Sequence, residues 1–517
     1  MPTISKGVIR WDGDDWLNGL IPQWSSSSGR YRKATNIKGL SYANAIDVHR
    51  TPGYIMPGAY GANMTNNSVV TSVIRDASVN GSTAYTIGGT KLNNLTLTSD
   101  TFVNSGSWPH TISAHGGHTS VDGQSTAIYY VGTTKYLFYS WNDNTDGDVG
   151  RYDLSATFDD DYMSTVPASA AVLLKTVPHP MIVGDDDVLY IANGNTLIGF
   201  DGQSGASGTI LPTPLTLPKD YIITSFAKLA NYLVVYAFKG AGDAGNSSYY
   251  RSESTAFFFD YTSEDPTYKF NLQGNYVNGG FSYQGTIGCF VQGRSAYSYS
   301  NKLSSLLIYD GSKFVSVATF EDNIPWHGGV EVADEVIYWN SAGVIYQYGT
   351  PHTGYKKILG RITNVIGGTT TGGILKNFGG AALYASAGTT TNGGLQNLSS
   401  NYYFQSLFAT PIVNPGFNRD YKGKVERVKI YWGAAASGGF ALTLQLNTDS
   451  ATTTTIVSNL QTVTDLVTTY DTAALNAALP FFGTIGLIGS WASTGGDEIS
   501  IPPYIEAIEV YFTESKI

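Results

Sequence analysis

The sequence predicts an all-β protein, a β-propeller of about seven blades followed by a small antiparallel β-sandwich of the jelly-roll type. Three features support this prediction. Glycine is frequent, at 59 of 517 residues, which favours turns over helices. Short runs of Val, Ile, Tyr, Phe and Thr lie between Gly, Asn and Asp, as in strands joined by turns. Such units recur about seven times between residues 66 and 412, and a period of about 50 residues is typical of propeller blades.

Two of the repeated units are alike at the level of single residues. Each has a histidine, an aspartate seven residues later and a tyrosine four residues after that. A third, fainter copy keeps only the histidine and the aspartate at this spacing. The residues concerned are His115, Asp122, His179, Asp186, Tyr190, His327, Asp334 and Tyr338. We expect them to be structural, because a histidine can join two strands by a hydrogen bond and an aspartate favours a tight turn.

Composition and hydrophobic patterning divide the chain into three parts. Residues 1–38 are polar and irregular, and we expect them to form an N-terminal arm that exposes Trp11 and Trp16 and orders on assembly. Residues 39–412 carry the repeats of the predicted propeller. Residues 413–517 have longer alternating runs and form the predicted sandwich.

The segment 39–58 reads as one short strand followed by two Pro-Gly turns. A propeller ring must close, and we expect a strand from the start of the chain to complete the last blade. The sequence therefore predicts that Ala45–His49 pairs with the last blade, near residues 381–410. The turns at Pro52-Gly53 and Pro57-Gly58 would then direct the chain into the first blade.

Two segments of the predicted sandwich, 423–433 and 505–514, alternate apolar and charged residues. This pattern predicts an antiparallel pair with one buried face. The inward residues would be Val428, Ile430, Ile508 and Val510, with Lys429 opposite Glu506 and Arg427 opposite Glu509.

Charge and composition exclude several classes of function. The formal net charge is −10 and there is no long basic run, which argues against a nucleic-acid-binding groove. The single cysteine, Cys289, excludes a disulfide within the chain. The N-terminal sequence lacks the apolar core of a signal peptide, and no window of about 18 apolar residues is present. We therefore expect neither secretion nor a membrane span.

One acidic, Asn-rich segment partly fits a calcium-binding loop. Alternating oxygen ligands on a tight turn suit Ca²⁺, and the candidate ligands are Asn142, Asn144, Asp146, Asp148 and Asp153. An ordinary Asx-rich hairpin loop is the alternative interpretation, because the first ligand is Asn and the last is Asp rather than Glu.

Catalysis and sugar binding have weaker signals. A propeller glycosidase would need paired carboxylates, which Asp159–Asp161 or Asp185–Asp187 could supply. Aspartates favour turns in any case, and no nucleophile elbow or phosphate-binding loop is present, so we expect no enzyme activity. Trp326, Trp339, Trp432 and Trp491 are candidate platforms for sugar rings, but tryptophan also favours strands.

The segment "GLSYANAIDVHRTPGYIMPG" (39–58) resembles one near the start of structural proteins of tailed-bacteriophage virions, where it introduces a β-propeller. The matching residues are Leu40, Ser41, Asp47, Pro52 and Gly53. The resemblance implies a non-enzymatic, cofactor-free protein of the virion tail, such as a nozzle, adaptor or fibre-attachment protein. It also implies a ring of identical copies that contacts other virion proteins.

Two alternatives belong to other classes. The first is a carbohydrate-binding propeller for receptor recognition, which would bind a surface glycan. The second is a propeller glycoside hydrolase. Glycan binding by the monomer would favour the first, and sugar release abolished by changing one carboxylate would favour the second.

Overall fold

The chain is almost wholly β. The computed structural model describes residues 3–5, 7–13, 40, 42–44, 46, 54–57, 62–113, 121–143, 145–167, 177–205, 207–212, 214–239, 253–292, 304–320, 323–333, 335–350, 358–364, 371–379, 383–388, 394–398, 406–417, 420–449, 452–471, 479–494 and 504–516. Helices in these ranges are single turns at Asn67–Val69, Tyr162–Thr165 and His327–Gly329. None of the helices described is long and apolar enough to cross a membrane. The all-β prediction is confirmed.

The chain forms two compact units, each built from segments that are distant in sequence. The first unit contains residues 1–61, 344–364 and 399–517, and the second contains residues 62–343 and 365–398.

The second unit is a series of small antiparallel sheets, A to G in chain order. Strands that follow each other in sequence pair with each other, as expected for short turns between them. The strands are Asp76–Asn80, Thr83–Gly88, Lys91–Thr96, Thr101–Phe102 and His110–Thr111 in sheet A; Asp122–Val131, Thr134–Asn142, Gly147–Tyr152 and Phe158–Asp159 in sheet B; Met181–Val183, Leu189–Asn193, Thr196–Asp201, Thr209–Ile210 and Leu215–Thr216 in sheet C; Tyr221–Leu229, Tyr232–Lys239, Glu253–Phe259 and Tyr268–Asn271 in sheet D; Tyr276–Tyr283, Thr286–Gln292, Ser304–Tyr309 and Phe314–Phe320 in sheet E; Val330–Ala333 and Val336–Ser341 in sheet F; Thr371–Asn377, Leu383–Gly388, Leu395–Asn397 and Ala62–Asn63 in sheet G.

Contacts run from each of these sheets to the next and from sheet G back to sheet A. The first strands of neighbouring sheets make most of these contacts; sheet C meets sheet D through its second strand. Apolar clusters fill the spaces between A and B, B and C, C and D, and D and E. A further cluster joins Ile374 and Leu395 of sheet G to Phe102 of sheet A. Stacking between neighbours explains why strands such as Tyr232–Lys239 are apolar on both faces.

The start of the second unit completes its last sheet. Ala62–Asn63 precedes sheet A in sequence but pairs with Leu395–Asn397 of sheet G. The predicted pairing of Ala45–His49 with the last blade falls mostly outside the described residues and stays a prediction. Within that predicted strand only Ile46 is described, and it forms a bridge with Pro57.

The first unit contains two larger antiparallel sheets and one hairpin. Large sheet 1 consists of Thr3–Ser5, Val8–Trp11, Ile505–Lys516, Tyr421–Trp432, Val467–Asp471 and Phe481–Phe482. Large sheet 2 consists of Tyr42–Asn44, Ser406–Ala409, Ile485–Ser493, Ala436–Thr448 and Thr452–Val463. The hairpin pairs Val344–Gly349 with Ile358–Asn364.

The predicted pair of charged, alternating strands is present in large sheet 1. Val428 lies opposite Val510 and Ile430 opposite Ile508, and all four side chains are buried. Lys429 lies opposite Glu509 rather than Glu506, and Arg427 lies opposite Tyr511 rather than Glu509, so the predicted register of the charged pairs was wrong.

The N-terminal residues also differ from the expected arm. Val8–Trp11 pairs with Ile505–Lys516, so the start of the chain is part of the same sheet as its end. Trp11, expected to be exposed, is only 2% exposed. Trp16 lies outside the described residues.

Candidate functional site

The structure does not bring the candidate calcium ligands together. Asn142 and Asp148 lie near one end of the strand Gly147–Tyr152, and Asp153 follows its other end, about 20 Å away at the usual rise per residue. Asn144 lies outside the described residues. Asp146 donates its backbone N–H to the neighbouring Asp143 carboxylate, as in an ordinary Asx turn.

Two of the candidate ligands have structural hydrogen bonds instead. Asp153 Oδ1 accepts bonds from the N–H groups of Ser155, Ala156 and Thr157 at 2.8–2.9 Å. Burial alone would raise the pKa of Asp153, but these bonds outweigh it and lower the pKa. Asp148 is fully buried, and its Oδ1 accepts a bond from the N–H of Val149. The described residues contain no group of three or more potential metal ligands.

The repeated histidines occupy matching places but have different partners. His179 and His327 each lie just before the first strand of a sheet, in sheets C and F. His179 Nδ1 forms a 2.9 Å hydrogen bond with the carbonyl oxygen of Ala192, which joins two strands as expected. His327 makes no such bond. His115 lies outside the described residues.

The repeated aspartates also have different surroundings. In sheet C, Tyr190 donates a 2.6 Å hydrogen bond to Asp186, which begins the predicted turn. Asp122 forms an ion pair with Arg75 at 2.9 Å. Asp334 lies outside the described residues, and Tyr338 is half-buried in the second strand of sheet F.

The acid triplets that could have supplied a glycosidase serve the fold. Asp160 bonds to His110 Nε2 at 2.9 Å and accepts a bond from the Tyr139 hydroxyl at 2.5 Å. Burial would raise the pKa of Asp160, but these bonds and the N–H of Ser113 lower it. In the second triplet, Asp185 forms an ion pair with Lys228 at 2.8 Å.

The tryptophans proposed as sugar platforms are mostly inside the protein. Trp339, Trp432 and Trp491 are at most 1% exposed, so their faces cannot receive a sugar ring. Trp326 is half-buried and is covered by the guanidinium of Arg75, 4.8 Å from the ring centre. Of the two interpretations left open by the sequence, these three tryptophans fit the second, as strand and core residues.

The strongest concentration of buried polar groups lies where the first strands of the small sheets meet. In four sheets the first strand has a register shift against the second, which marks a β-bulge. The shifts lie between Gly123 and Ser125, Ile223 and Ser225, Asn278 and Phe281, and Gly372 and Leu375.

Residues at these bulges bond to the neighbouring sheet. Thr224 donates a 2.6 Å hydrogen bond to the carbonyl oxygen of Val277, which joins sheet D to sheet E. Ser225 accepts a 3.0 Å bond from the N–H of Gly280 across the same boundary. These bonds satisfy backbone groups that the bulges remove from the strand ladder.

The short turn His327–Gly329 lies in the middle of this region. It contacts strands of sheets A, D, E, F and G. A single turn can touch five sheets only where they converge, so it occupies the centre of the series. A Cβ atom on Gly328 would lie 2.2 Å from the carbonyl oxygen of Arg75, and one on Gly329 would lie 2.9 Å from that of Gly373. Glycine is therefore needed at both positions.

Five side chains form what we call the central cluster: Arg75, Asp76, Asp122, His327 and Lys376. Asp76 Oδ2 accepts bonds from Ser125 Oγ at 2.7 Å and from the N–H of Thr126 at 2.9 Å. Its Oδ1 lies 3.9 Å from Lys376 Nζ, and Arg75 pairs with Asp122. The charges of the cluster thus compensate each other across sheets A, B and G.

His327 is the least satisfied member of the central cluster. Both ring nitrogens are buried and have no hydrogen-bond partner among the described residues. Burial lowers the pKa of His327 to about 4, Asp76 opposes this shift, and Lys376 and Arg75 reinforce it. The imidazole is therefore neutral at pH 7.

The family-like segment is mostly outside the described part of the chain. Leu40 is fully buried. Ser41, Asp47, Pro52 and Gly53 lie outside the described residues, so the resemblance stays a prediction.

Similarity to known proteins is limited to remote structural matches. No family model and no curated protein sequence matches the chain. Drosophila Plexin A in complex with Semaphorin 1b is similar at 10% identity and a TM-score of 0.40, over 66% of this chain and 88% of that one. The Dos1 propeller is similar at 13% identity and a TM-score of 0.37, over 68% of this chain and 92% of that one. These scores are too low to carry an argument about this chain.

A third match spans more of the chain. The exo-β-1,3-galactanase of Phanerochaete chrysosporium is similar over 88% of this chain and 99% of that one, at 10% identity and a TM-score of 0.33. This similarity carries no argument about activity either.

Proposed function

We propose that the protein is a non-enzymatic structural component of a tailed-phage virion, located in the tail as a nozzle, adaptor or fibre-attachment protein. In this proposal, sheets A to G are the seven blades of a closed propeller, and large sheets 1 and 2 form the sandwich. The observation that carries the proposal is the filled centre of the small sheets, where the turn His327–Gly329 and the paired charges occupy the space between the first strands.

The centre supports a structural role because its polar groups bind the sheets to each other. Asn340 of sheet F donates hydrogen bonds to the carbonyl oxygens of Ile374 and Ser386 in sheet G, at 3.1 and 2.6 Å. Ser386 Oγ in turn accepts a 3.2 Å bond from the N–H of Ile74 at the start of sheet A. Buried hydrogen bonds of this kind fix the order and orientation of neighbouring sheets.

The same reasoning weighs against the hydrolase alternative. The carboxylates Asp160 and Asp185, taken from the two acid triplets, already hold a histidine and a lysine. A general acid needs a raised pKa, whereas the bonds to Asp160 lower its pKa.

An edge of the first unit supports assembly with other proteins. Thr452–Val463 is 12 residues long, contains no charged residue or proline, and ends large sheet 2 among the described strands. Proteins usually protect long edge strands with charges, prolines or a covering segment. We propose that this edge meets a neighbouring virion protein or a second copy of the chain.

Purified virions of the phage that encodes the protein provide the direct test. Immunogold labelling with an antibody to the full chain should decorate the tail, and the protein should remain with the particles through a density gradient. Recovery of the protein only in the soluble lysate would contradict the virion assignment.

A variant can then test the proposed edge. Ser458→Lys places a charge on an exposed position of the edge strand and should reduce incorporation into particles by at least tenfold. Thr133→Lys, in an exposed turn of the second unit, is the matched control and should be incorporated normally. Equal incorporation of both variants would contradict a role for this edge.

A further inference from the structure

The turn that fills the centre of the small sheets is closely packed but poorly bonded. Gly328 and Gly329 are buried with no room for a side chain. In contrast, three polar atoms just before these glycines are buried and have no hydrogen-bond partner among the described residues. They are Trp326 Nε1 and both ring nitrogens of His327. Each such atom would gain hydrogen bonds in water, so burying these atoms in the packed turn costs free energy.

Several charged groups face His327 from the surrounding sheets. Arg75 and Asp76 lie at the start of sheet A, and Lys376 comes from sheet G. Glu331 of sheet F lies near the same lysine. From sheet B, the backbone of Gln124 lies beside the ring, outside hydrogen-bond geometry.

The remaining neighbours add no unpaired charge beside His327. Asp122 of sheet B is paired with Arg75, and sheets D and E present uncharged polar residues such as Thr224 and Asn278 at their bulges. Two cations therefore oppose a proton on His327, and Asp76 is the main group that favours one.

We propose that the turn Trp326–Gly329 is a pH-sensitive plug, which leaves the centre of the small sheets when His327 gains a proton in mildly acidic solution. The proposal concerns the second unit alone and does not depend on the virion assignment. Release would give the indole and imidazole nitrogens water as a partner, and would open the region where the first strands converge.

The direction of the pH effect follows from proton binding in the two states. The packed imidazole has a pKa lowered to about 4, whereas a histidine in water has a value of 6.5. Between these values the released turn binds a proton that the packed turn does not. The ratio of released to packed turn therefore rises by up to tenfold for each pH unit below 6.5, and by about 300-fold in total.

Hydrogen–deuterium exchange of the full chain tests this proposal. The amides of residues 326–331 should exchange faster as the pH falls from 7 to 4.5, after correction for the intrinsic rate. The expected acceleration approaches tenfold per pH unit below 6.5. Amides of the buried strand Tyr232–Lys239 should stay protected, which separates release of the turn from unfolding of the unit.

His327→Gln keeps a polar side chain but cannot take up a proton, so the acceleration should disappear in this variant. His179→Gln changes the other buried histidine of the repeat, and this variant should still show the acceleration of exchange at low pH. Lys376→Met offers a second test, because loss of a nearby cation brings the pKa of the packed imidazole closer to that of the released one, so the total acceleration should be smaller. An unchanged acceleration in His327→Gln would overturn the proposal. So would an undiminished acceleration in Lys376→Met, or simultaneous exchange of all the small sheets.

Discussion

The hydroxyl of Tyr384 donates a 2.8 Å hydrogen bond to the carboxylate of Asp100, and this bond joins sheet G to sheet A. The other carboxylate oxygen of Asp100 accepts a 2.9 Å bond from Asn397 of sheet G. Asp100 has a φ of 49°, a left-handed conformation that aspartate tolerates better than most residues. A single side chain thus helps to hold the first and last of the small sheets together.

Removing the hydroxyl should weaken this closure. We expect Tyr384→Phe to lower the free energy of unfolding by about 1.5 kcal/mol, because the bond is partly buried and its acceptor is charged. Urea denaturation followed by circular dichroism measures the change. Tyr130→Phe is the control, since that ring is 45% exposed, and it should leave stability unchanged. Equal stability of the two variants would argue against a closing role for Asp100.

The central turn should not tolerate a side chain. Gly328→Ala would bring a methyl group to within 2.2 Å of the Arg75 carbonyl oxygen, and we expect a loss of about 2–4 kcal/mol in the free energy of unfolding. Gly486→Ala is a matched control, because its nearest contacts would be ordinary ones at 3.5 Å. If thermal melts place both variants at the wild-type Tm, the turn is not packed as described.

The N-terminal strand should depend on Arg10. Its Nη1 lies 2.7 Å from Glu509 Oε1, and Arg10→Met would remove this ion pair while keeping the apolar stem. We expect a loss of about 1 kcal/mol, because Arg10 is 38% exposed and solvent screens the pair. Hydrogen exchange of Val8–Trp11 should accelerate. Lys424→Met, from an exposed pair with Glu426, should have no effect, and identical exchange in both variants would contradict the prediction.

Alkaline pH should weaken the same sheet through Tyr431. Burial raises the pKa of Tyr431 to about 12, and the hydrogen bond to Glu509 adds to this shift. In the unfolded chain the value is about 10, so ionisation favours unfolding between pH 10 and 12. The stabilisation is complete below pH 10 and is lost as the pH rises to 12. Melting curves of wild type and Tyr431→Phe should therefore converge over this interval, and a constant difference in Tm would contradict the assignment.

Periodic patterns allowed parts of the fold to be predicted. Val428 and Val510 alternate with charged residues along two long strands, so their pairing and burial could be inferred from sequence. Ala62–Asn63 gives no such signal, because two residues are too few to show a period. Its pairing with Leu395–Asn397 was consequently not predicted.

The central cluster could not be predicted, because it depends on contacts between distant segments. Arg75 and Asp122 belong to different sheets and meet only once the sheets are assembled. The repeat suggested equal roles for His179 and His327, yet only His179 bonds to its own sheet. His327 differs because the chain forms a single helical turn there and enters the centre. The paired glycines 328 and 329 were the one local signal for this close approach.

The central claim is that the small sheets close on themselves through Ala62–Asn63, and an engineered disulfide tests it most directly. Asn63 and Gln396 are paired residues of adjacent strands, with side chains 3.3 Å apart, so cysteines at both positions have suitable spacing for a bond. Under mild oxidation, Asn63→Cys/Gln396→Cys should form one intramolecular disulfide, seen as a loss of two hydrogens by intact mass. Asn63→Cys/Ser312→Cys should not. Free thiols at both positions 63 and 396, in addition to the buried native Cys289, or only dimers linked between chains, would contradict closure.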